Sequence, residues 1–260
     1  MNTEPDAERW KALATQLDQG RQSGTLMDLP AAREDLPLDV PTAYQVQDLL
    51  IGAMKDRPVA WKLGAPSLAG QSAMNLAEPF SGPILPGMVL PSPAQIDTSG
   101  FAAHLFEPEI AITLGRDIDR AIDEREAAEA IASLHPAIEI IGFRFRNGRS
   151  LGPVGMIMDY GANGALVLGP AAKAGVDDYD GLALDVRING ATIANRAPPP
   201  PETGLARLLS WFSAHVTARG HSLRTGDVIT TGSQAGMLEY QPGDRIEADF
   251  GSAGIAAVQV

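Results

Sequence analysis

No cysteine occurs among the 260 residues, which excludes disulfides, thiolate zinc sites and a cysteine nucleophile. Positive charge is also scarce: 20 Lys and Arg stand against 32 Asp and Glu, a formal charge of −12. So acidic a chain lacks the basic surface that displaces counterions from a phosphate backbone, and no nucleic-acid partner is expected. The same sign disfavours an anionic membrane. No apolar run approaches the ~18 residues a membrane helix needs. The opening "MNTEPDAERWKALATQL" carries acids where a secretory leader carries positive charge, so a cytoplasmic location is expected. Aromatics make up only 5% of the chain, yet 45% of it is hydrophobic. That suffices for one large domain with a smaller N-terminal element, read here as residues 58–260 and 1–57.

Trp10, Leu13, Ala14 and Leu17 recur at helical spacing, with Gly20 as a stop. After a loop marked by Pro30 and Pro37, "VPTAYQVQDLLIGAMK" offers Pro41 for a first helical turn and an apolar stripe of Val46, Leu49, Leu50 and Ala53. From about residue 58 the texture changes to β-like runs broken by Gly and Pro: "VAWKLG", "FSGPILPGMVLPSP", "HLFEPEIAITLG" and "AIEIIGFRF". Asp123 and Glu126 have capping-box spacing, so "DEREAAEAIASL" predicts a helix crossing between two of these strands. Asn189-Gly190 inside "LALDVRINGATI" predicts a tight hairpin. "RAPPPP" reads as a rigid extended loop, "TGLARLLSWFSAHVTARG" as a helix buried through Leu205, Leu208, Leu209 and Phe212, and the remaining tail as β.

Glu107 and Glu109 lie two apart on a strand and so share one face, roughly 7 Å apart along the chain. Phe106, Ile110 and Ile112 take the other face. Taken alone, this stretch reads as an amphipathic strand with a wet side. Glu139 argues otherwise, because "PAIEIIGF" surrounds it with isoleucines and supplies no basic residue before Arg144. An unpaired buried carboxylate costs several kcal/mol, so Glu139 must be neutralised, paired or metal-bound. Three converging carboxylates repel one another unless a divalent ion sits between them. An oxygen-only donor set suits Mg²⁺ or Mn²⁺.

On these residues the chain resembles the fumarylacetoacetate hydrolase superfamily, in its branch of 2-oxopent-4-enoate hydratases and 4-oxalocrotonate decarboxylases. The E-x-E of Glu107 and Glu109, the later Glu139 and their flanks "EIAITLGRDI" and "PAIEII" carry the likeness. "AYQVQ", "WKLG" with Lys62, Arg144, "GALVLG" and "GDVITTGS" with Ser233 add to it. "MDYGANG" stands where the hydratases usually have an "ADNAS"-like stretch, keeping Asp159 and Gly164. "RFRNGRSLGP" replaces their lysine-tryptophan segment.

The resemblance implies an α+β protein, a small helical N-terminal element leading into a mixed β-roll around the metal. It implies Mg²⁺ or Mn²⁺ on Glu107, Glu109 and Glu139, with Lys62 and Asp159 as catalytic groups. Leu63 and Gly64 (through their backbone), Arg144 and Ser233 would bind substrate. The expected activity is hydration of a 2-hydroxy-2,4-dienoate to a 4-hydroxy-2-oxo acid. The alternatives are 4-oxalocrotonate-type decarboxylation, C–C hydrolysis of an acylpyruvate, or a non-catalytic partner subunit. The expected partners are a small 2-oxo acid, further copies of the chain in a homo-oligomer, and a related hydratase or decarboxylase subunit. His104, His135, His215 and His221 lack metal-ligand spacing and are read as packing, capping or surface residues.

Overall fold

The computed structural model describes residues 4–28, 36–37, 39–172, 175–196 and 204–260. Helix α1 spans Glu4–Ser23 and buries Trp10, Leu13, Ala14 and Leu17. It runs through Gly20, so that glycine is not the stop. A Cβ there would lie 2.8 Å from Met27 Cε, and the residue serves close packing instead. Helix α2, Val40–Ala53, starts at Asp39, whose side chain accepts the Thr42 N–H at 2.8 Å. Its buried face is Ala43, Tyr44, Val46, Gln47 and Leu50, while Leu49 and Ala53 are exposed.

The "AYQVQ" motif explains that rotation. Gln47 is fully buried and donates to Ser81 O (2.9 Å) and Ile157 O (2.7 Å), and its Oε1 accepts from Arg219 (2.7 Å). The Tyr44 hydroxyl accepts the Ser81 N–H at 3.0 Å. A polar side chain is affordable in this stripe because every one of its groups is paired. It docks α2 on the strand that holds Ser81.

Thirteen strands among the described residues form two sheets. In chain order they are β1 Ala60–Gly64, β2 Phe80–Ile84, β3 Val89–Pro91, β4 Ala94–Gln95, β5 Leu105–Leu114, β6 Ile131–Ile141 and β7 Asn163–Leu168. Then come β8 Leu184–Ile188, β9 Ala191–Arg196, β10 Val228–Thr230, β11 Leu238–Glu239, β12 Arg245–Asp249 and β13 Ile255–Gln259. The larger sheet has the order β2-β1-β10-β5-β6-β7-β3, with β11 also pairing β5; the smaller is β4-β13-β12-β8-β9. Asn189 (φ +52°) and Gly190 (φ +83°) close the β8–β9 hairpin with the left-handed pair a two-residue turn requires. The proline run of "RAPPPP" and Pro30 fall outside the described residues.

Helix α3, Leu68–Ala73, follows β1. The helix before β6 is α4, Glu124–Ala130, with the expected capping box: Asp123 accepts the Glu126 N–H at 2.8 Å and Glu126 accepts the Asp123 N–H at 3.3 Å. It ends sooner than its sequence suggests. "IASL" turns straight into β6, so α4 feeds the strand rather than crossing to it; β-branched Ile131 opens the extended segment.

The main core lies on one face of the large sheet, where Phe106, Ile110, Ile112, Ile138 and Ile140 meet Val186, Ile246 and Val258 of the small sheet. Helix α6, Leu205–Ala218, adds Leu205, Leu208, Leu209 and Phe212 to that core. A second core covers the opposite face. There α1, α2 and α5 (Gly152–Met158) pack on Phe80, Leu105, Ile141 and Phe143. Leu105 and Ile141 stand on the same face as Glu107 and Glu139, so the N-terminal helices cover the acidic side of β5 and β6. No helix among the described residues is long and apolar enough to cross a membrane.

One partly buried histidine gives this packing a pH dependence. His215 stacks on Trp211 (4.9 Å between ring centroids), tilts against Tyr44 (4.7 Å) and contacts Arg219 Nη1 at 3.2 Å. Burial, with the Arg219 charge, holds its pKa down at about 4, against a weaker opposing pull from Asp48. The folded state therefore keeps His215 neutral, while the unfolded chain protonates it near 6.5. Its contribution to stability is full above pH 6.5 and is lost as pH falls toward 4. Thermal melts should show wild type losing more stability than His215→Gln between pH 7.5 and 4.5, so the gap between them narrows on acidification. A constant gap would refute the assignment.

Candidate metal centre

Strands β5 and β6 pair antiparallel in a register that sets Glu107 directly opposite Glu139 and Glu109 opposite Ala137. Like charges in that relation destabilise a ladder. The acidic side is not wet, as the β5 pattern alone suggested: Glu109 and Glu139 are 0% exposed and Glu107 keeps 15% of its side chain accessible. One oxygen from each lies within 4.8 Å of the others. Glu139 belongs to this cluster, as its apolar sequence surroundings required.

Among the described residues, one cation faces the three acids. Lys62, 3% exposed, places Nζ 2.8 Å from Glu139 Oε2 and 3.5 Å from Glu107 Oε2. Burial by itself would depress the lysine, but Glu139, Glu107 and Glu109 together outweigh it and raise its pKa above the ordinary range. It is held as an ammonium. Burial, then Glu139 and Glu107, push the Glu109 carboxyl well above its usual range. Burial likewise raises Glu139, against the pull of Lys62. Ionised together, the three carboxylates would leave two negative charges against the one ammonium, a balance that a divalent ion would complete. Glu109 Oε1 is buried without a hydrogen-bond partner among the described residues, a further oxygen ready for a hard cation.

Two supports escaped the sequence reading. Asn163 Nδ2 donates to Glu139 Oε1 at 2.7 Å, and the Gly232 N–H donates to Glu109 Oε2 at 2.8 Å. Asn163 could have been noticed as an amide at the head of the "GALVLG" strand, where strand propensity disfavours it. Gly232 gave no signal beyond being a glycine; its φ of +87° is what turns the N–H toward the acid.

The lysine lies on a floor of glycines. Gly82 pairs with Lys62 across β1 and β2, and a Cβ on Gly161 would come within 2.8 Å of Lys62 Cδ and 2.9 Å of Gly82 Cα. Gly161 sits in a turn whose three residues, Tyr160 (+55°), Gly161 (+70°) and Ala162 (+59°), all have positive φ. For a buried tyrosine and an alanine this backbone costs roughly 1–2 kcal/mol each. Such a turn persists only where its surroundings enforce it.

The remaining expected residues divide. Leu63 points into the main core, but β10 last pairs β1 at Trp61–Ile229. The β10-side edge of Leu63 and Gly64 therefore runs free of the ladder and faces Gly232, where a Cβ would lie 3.3 Å from Leu63 O. Ser233 adjoins that glycine and donates to Gly236 O at 2.7 Å. Asp159 and Arg144 bind each other: Asp159 Oδ2 accepts the Arg144 N–H at 2.7 Å, and Arg144 Nε lies 3.5 Å from Oδ1. Neither has a described contact with the three glutamates. Burial raises the Asp159 carboxyl, opposed by Arg144.

The fold and this cluster define the class. Residues 57–260 match the family model "Fumarylacetoacetate (FAA) hydrolase C-terminal", and the chain belongs to that family. Among its relatives is a 2-keto-4-pentenoate hydratase of Paraburkholderia xenovorans (strain LB400), 27% identical over 255 residues that cover 93% of this chain and 91% of the relative. A 4-oxalocrotonate decarboxylase of Pseudomonas sp is 25% identical over 253 residues, 93% of this chain and 94% of the relative. The fold is similar to that of 4-oxalocrotonate decarboxylase from Pseudomonas putida G7, solved with magnesium and adipate. That match has a TM-score of 0.84 at 20% identity and covers 100% of this chain and 98% of that one.

The opposed glutamates give a test whose sign changes with the cation. In chelator, Glu107→Gln removes a like charge opposite Glu139 and should raise the melting temperature by a few degrees, about 1 kcal/mol. With millimolar Mn²⁺ wild type should gain stability and the variant should gain little. Differential scanning calorimetry reads both arms, and a variant stabilised by Mn²⁺ as much as wild type would exclude Glu107 as a ligand.

Proposed function

We propose that this protein is a divalent-cation-dependent lyase that hydrates a 2-hydroxy-2,4-dienoate, through its 2-oxo-4-enoate form, to a 4-hydroxy-2-oxo acid. The observation that carries the reading is the buried Glu107–Glu109–Glu139 cluster with the Lys62 ammonium against it. The near-full-length relative named as a hydratase supports the choice of reaction.

Glu107, Glu109 and Glu139 would hold Mg²⁺ or Mn²⁺, whose chemistry is to polarise the 2-oxo acid and stabilise negative charge growing on its C2 oxygen. The chain's own groups do the rest. Lys62 keeps a proton at Nζ against the acids, from which it would hold the substrate carboxylate or relay a proton to the far dienol carbon. The free edge of Leu63 and Gly64 offers backbone groups to the carboxylate and oxo oxygens, and the Ser233 hydroxyl beside it would join them by turning its O–H from Gly236 O. Asn163 and Gly232 fix the glutamates so that reorganisation during the reaction is small. Asp159 fixes Arg144 through its backbone and guanidinium, and to this pair we assign acid/base support and substrate binding. Residues 58–260 form the catalytic unit and 1–57 its helical cover, in a protein we read as cytoplasmic and homo-oligomeric.

Decarboxylation builds charge on the same oxygen, so the product decides between the two. Protein loaded with Mg²⁺ or Mn²⁺ and given 2-hydroxypenta-2,4-dienoate should bleach its ultraviolet absorbance and yield a product heavier by one water. Chelator should stop the reaction, and Lys62→Met should slow it by about 10²–10⁴. Loss of CO₂ from an unsaturated 2-oxo diacid without hydration of the dienoate would favour the decarboxylase. Cleavage of an acylpyruvate would favour a hydrolase, and inertness toward all three a partner subunit.

A further inference from the structure

We infer that Tyr160 is a positioning residue, a clasp by which helix α1 holds the left-handed turn that shapes the Lys62–Glu139 pair; this rests on reading the three glutamates as the cation site. Tyr160 is fully buried, and its side chain is gripped from three directions. Its hydroxyl donates to Asp18 Oδ1 at 3.2 Å. The Arg21 guanidinium carbon lies 5.6 Å from its ring centroid and that of Arg144 5.2 Å. Asp18 in turn accepts from Arg21 at 3.1 Å, and Asp159 pairs with Arg144, so the two cations flanking the ring are each matched by an acid. Asp18 and Arg21 belong to α1, outside the residues 57–260 that the family model matches.

The backbone carries this grip to the site through short hydrogen bonds. Asp159 O accepts the Ala162 N–H at 2.7 Å, and Ala162 O accepts the Gly142 N–H at 2.9 Å, which locks the turn to the end of β6. Within the turn, Gly161 supports the Lys62 stem. The next residue, Asn163, holds Glu139 Oε1 at 2.7 Å, the carboxylate whose other oxygen pairs with Lys62. A tyrosine in the left-handed region is disfavoured on its own, so something must impose it. The hydroxyl–Asp18 bond and the flanking guanidinium groups supply that constraint. Releasing them lets residues 160–162 relax, which moves the floor under Lys62 and the anchor of Glu139 together.

The test uses full-length protein with Tyr160→Phe, Asp18→Leu and Asp18→Asn, which keeps an acceptor for the hydroxyl. Mn²⁺ is titrated by calorimetry, and amide hydrogen exchange is followed by mass spectrometry. Tyr160→Phe and Asp18→Leu should weaken Mn²⁺ binding at least about fivefold and speed exchange at residues 159–163, with β5 and β6 still protected. Asp18→Asn should restore both. A residue that only added stability would lower the melting temperature and leave Mn²⁺ affinity alone, and that result overturns the proposal. Wild type that takes up no Mn²⁺ would instead sink the cation reading. The exchange arm would then still decide the clasp: faster exchange at 159–163 upholds it, and unchanged exchange ends it.

Discussion

The repulsion between Glu107 and Glu139, set face to face across two adjacent strands, is the constraint around which the rest of this protein is arranged. An antiparallel ladder would not choose that pair for its own stability. The surrounding parts make it tolerable. Lys62 reaches across from β1, where β10 has stopped short; Asn163 and the Gly232 N–H each take one carboxylate oxygen. Burial raises the cost of every unmatched charge and also strengthens every matched one. With all three acids ionised, two negative charges would remain after Lys62 is counted, and a divalent cation would balance them.

The acidic face stays dry because the N-terminal helices cover it. Gln47 and Tyr44 tie α2 to Ser81 on β2, one residue from the Gly82 that floors Lys62. Asp18 and Arg21 tie α1 to Tyr160. The helical element is thus bonded both to β2 and to the turn that approaches the lysine stem, and its sequence motif "AYQVQ" is a docking device as much as a helix.

What could be read in the sequence was what periodicity and chemistry mark strongly. Glu139 among isoleucines announced a buried charge, the Asp123–Glu126 spacing announced a cap, and Asn189-Gly190 announced a hairpin. All three are present. The misreadings share one cause, which is that tertiary contacts override local pattern. Gly20 looked like a terminator but makes room for Met27, and Leu49 fitted a stripe that Gln47's inward bonds rotate away. The wet side of β5 was an inference from two glutamates that could not see the helices above them. Asn163 and Gly232 were silent because a hydrogen bond to a carboxylate from a distant segment leaves no spacing in the chain. The left-handed turn at Tyr160 was hidden for the same reason: nothing in "MDYGANG" predicts that a tyrosine will accept a backbone suited to glycine.

The short connection through α4 has a consequence for how such a protein can diversify. All three glutamates of the candidate cation cluster sit on one continuous stretch, β5-α4-β6, whose short connection costs little loop entropy. The groups proposed to meet the organic molecule arrive from three other stretches, around Lys62, Arg144–Asp159 and Ser233. Substitutions in those outlying pieces can therefore alter the surroundings of the acids while the acid-bearing stretch itself is left intact.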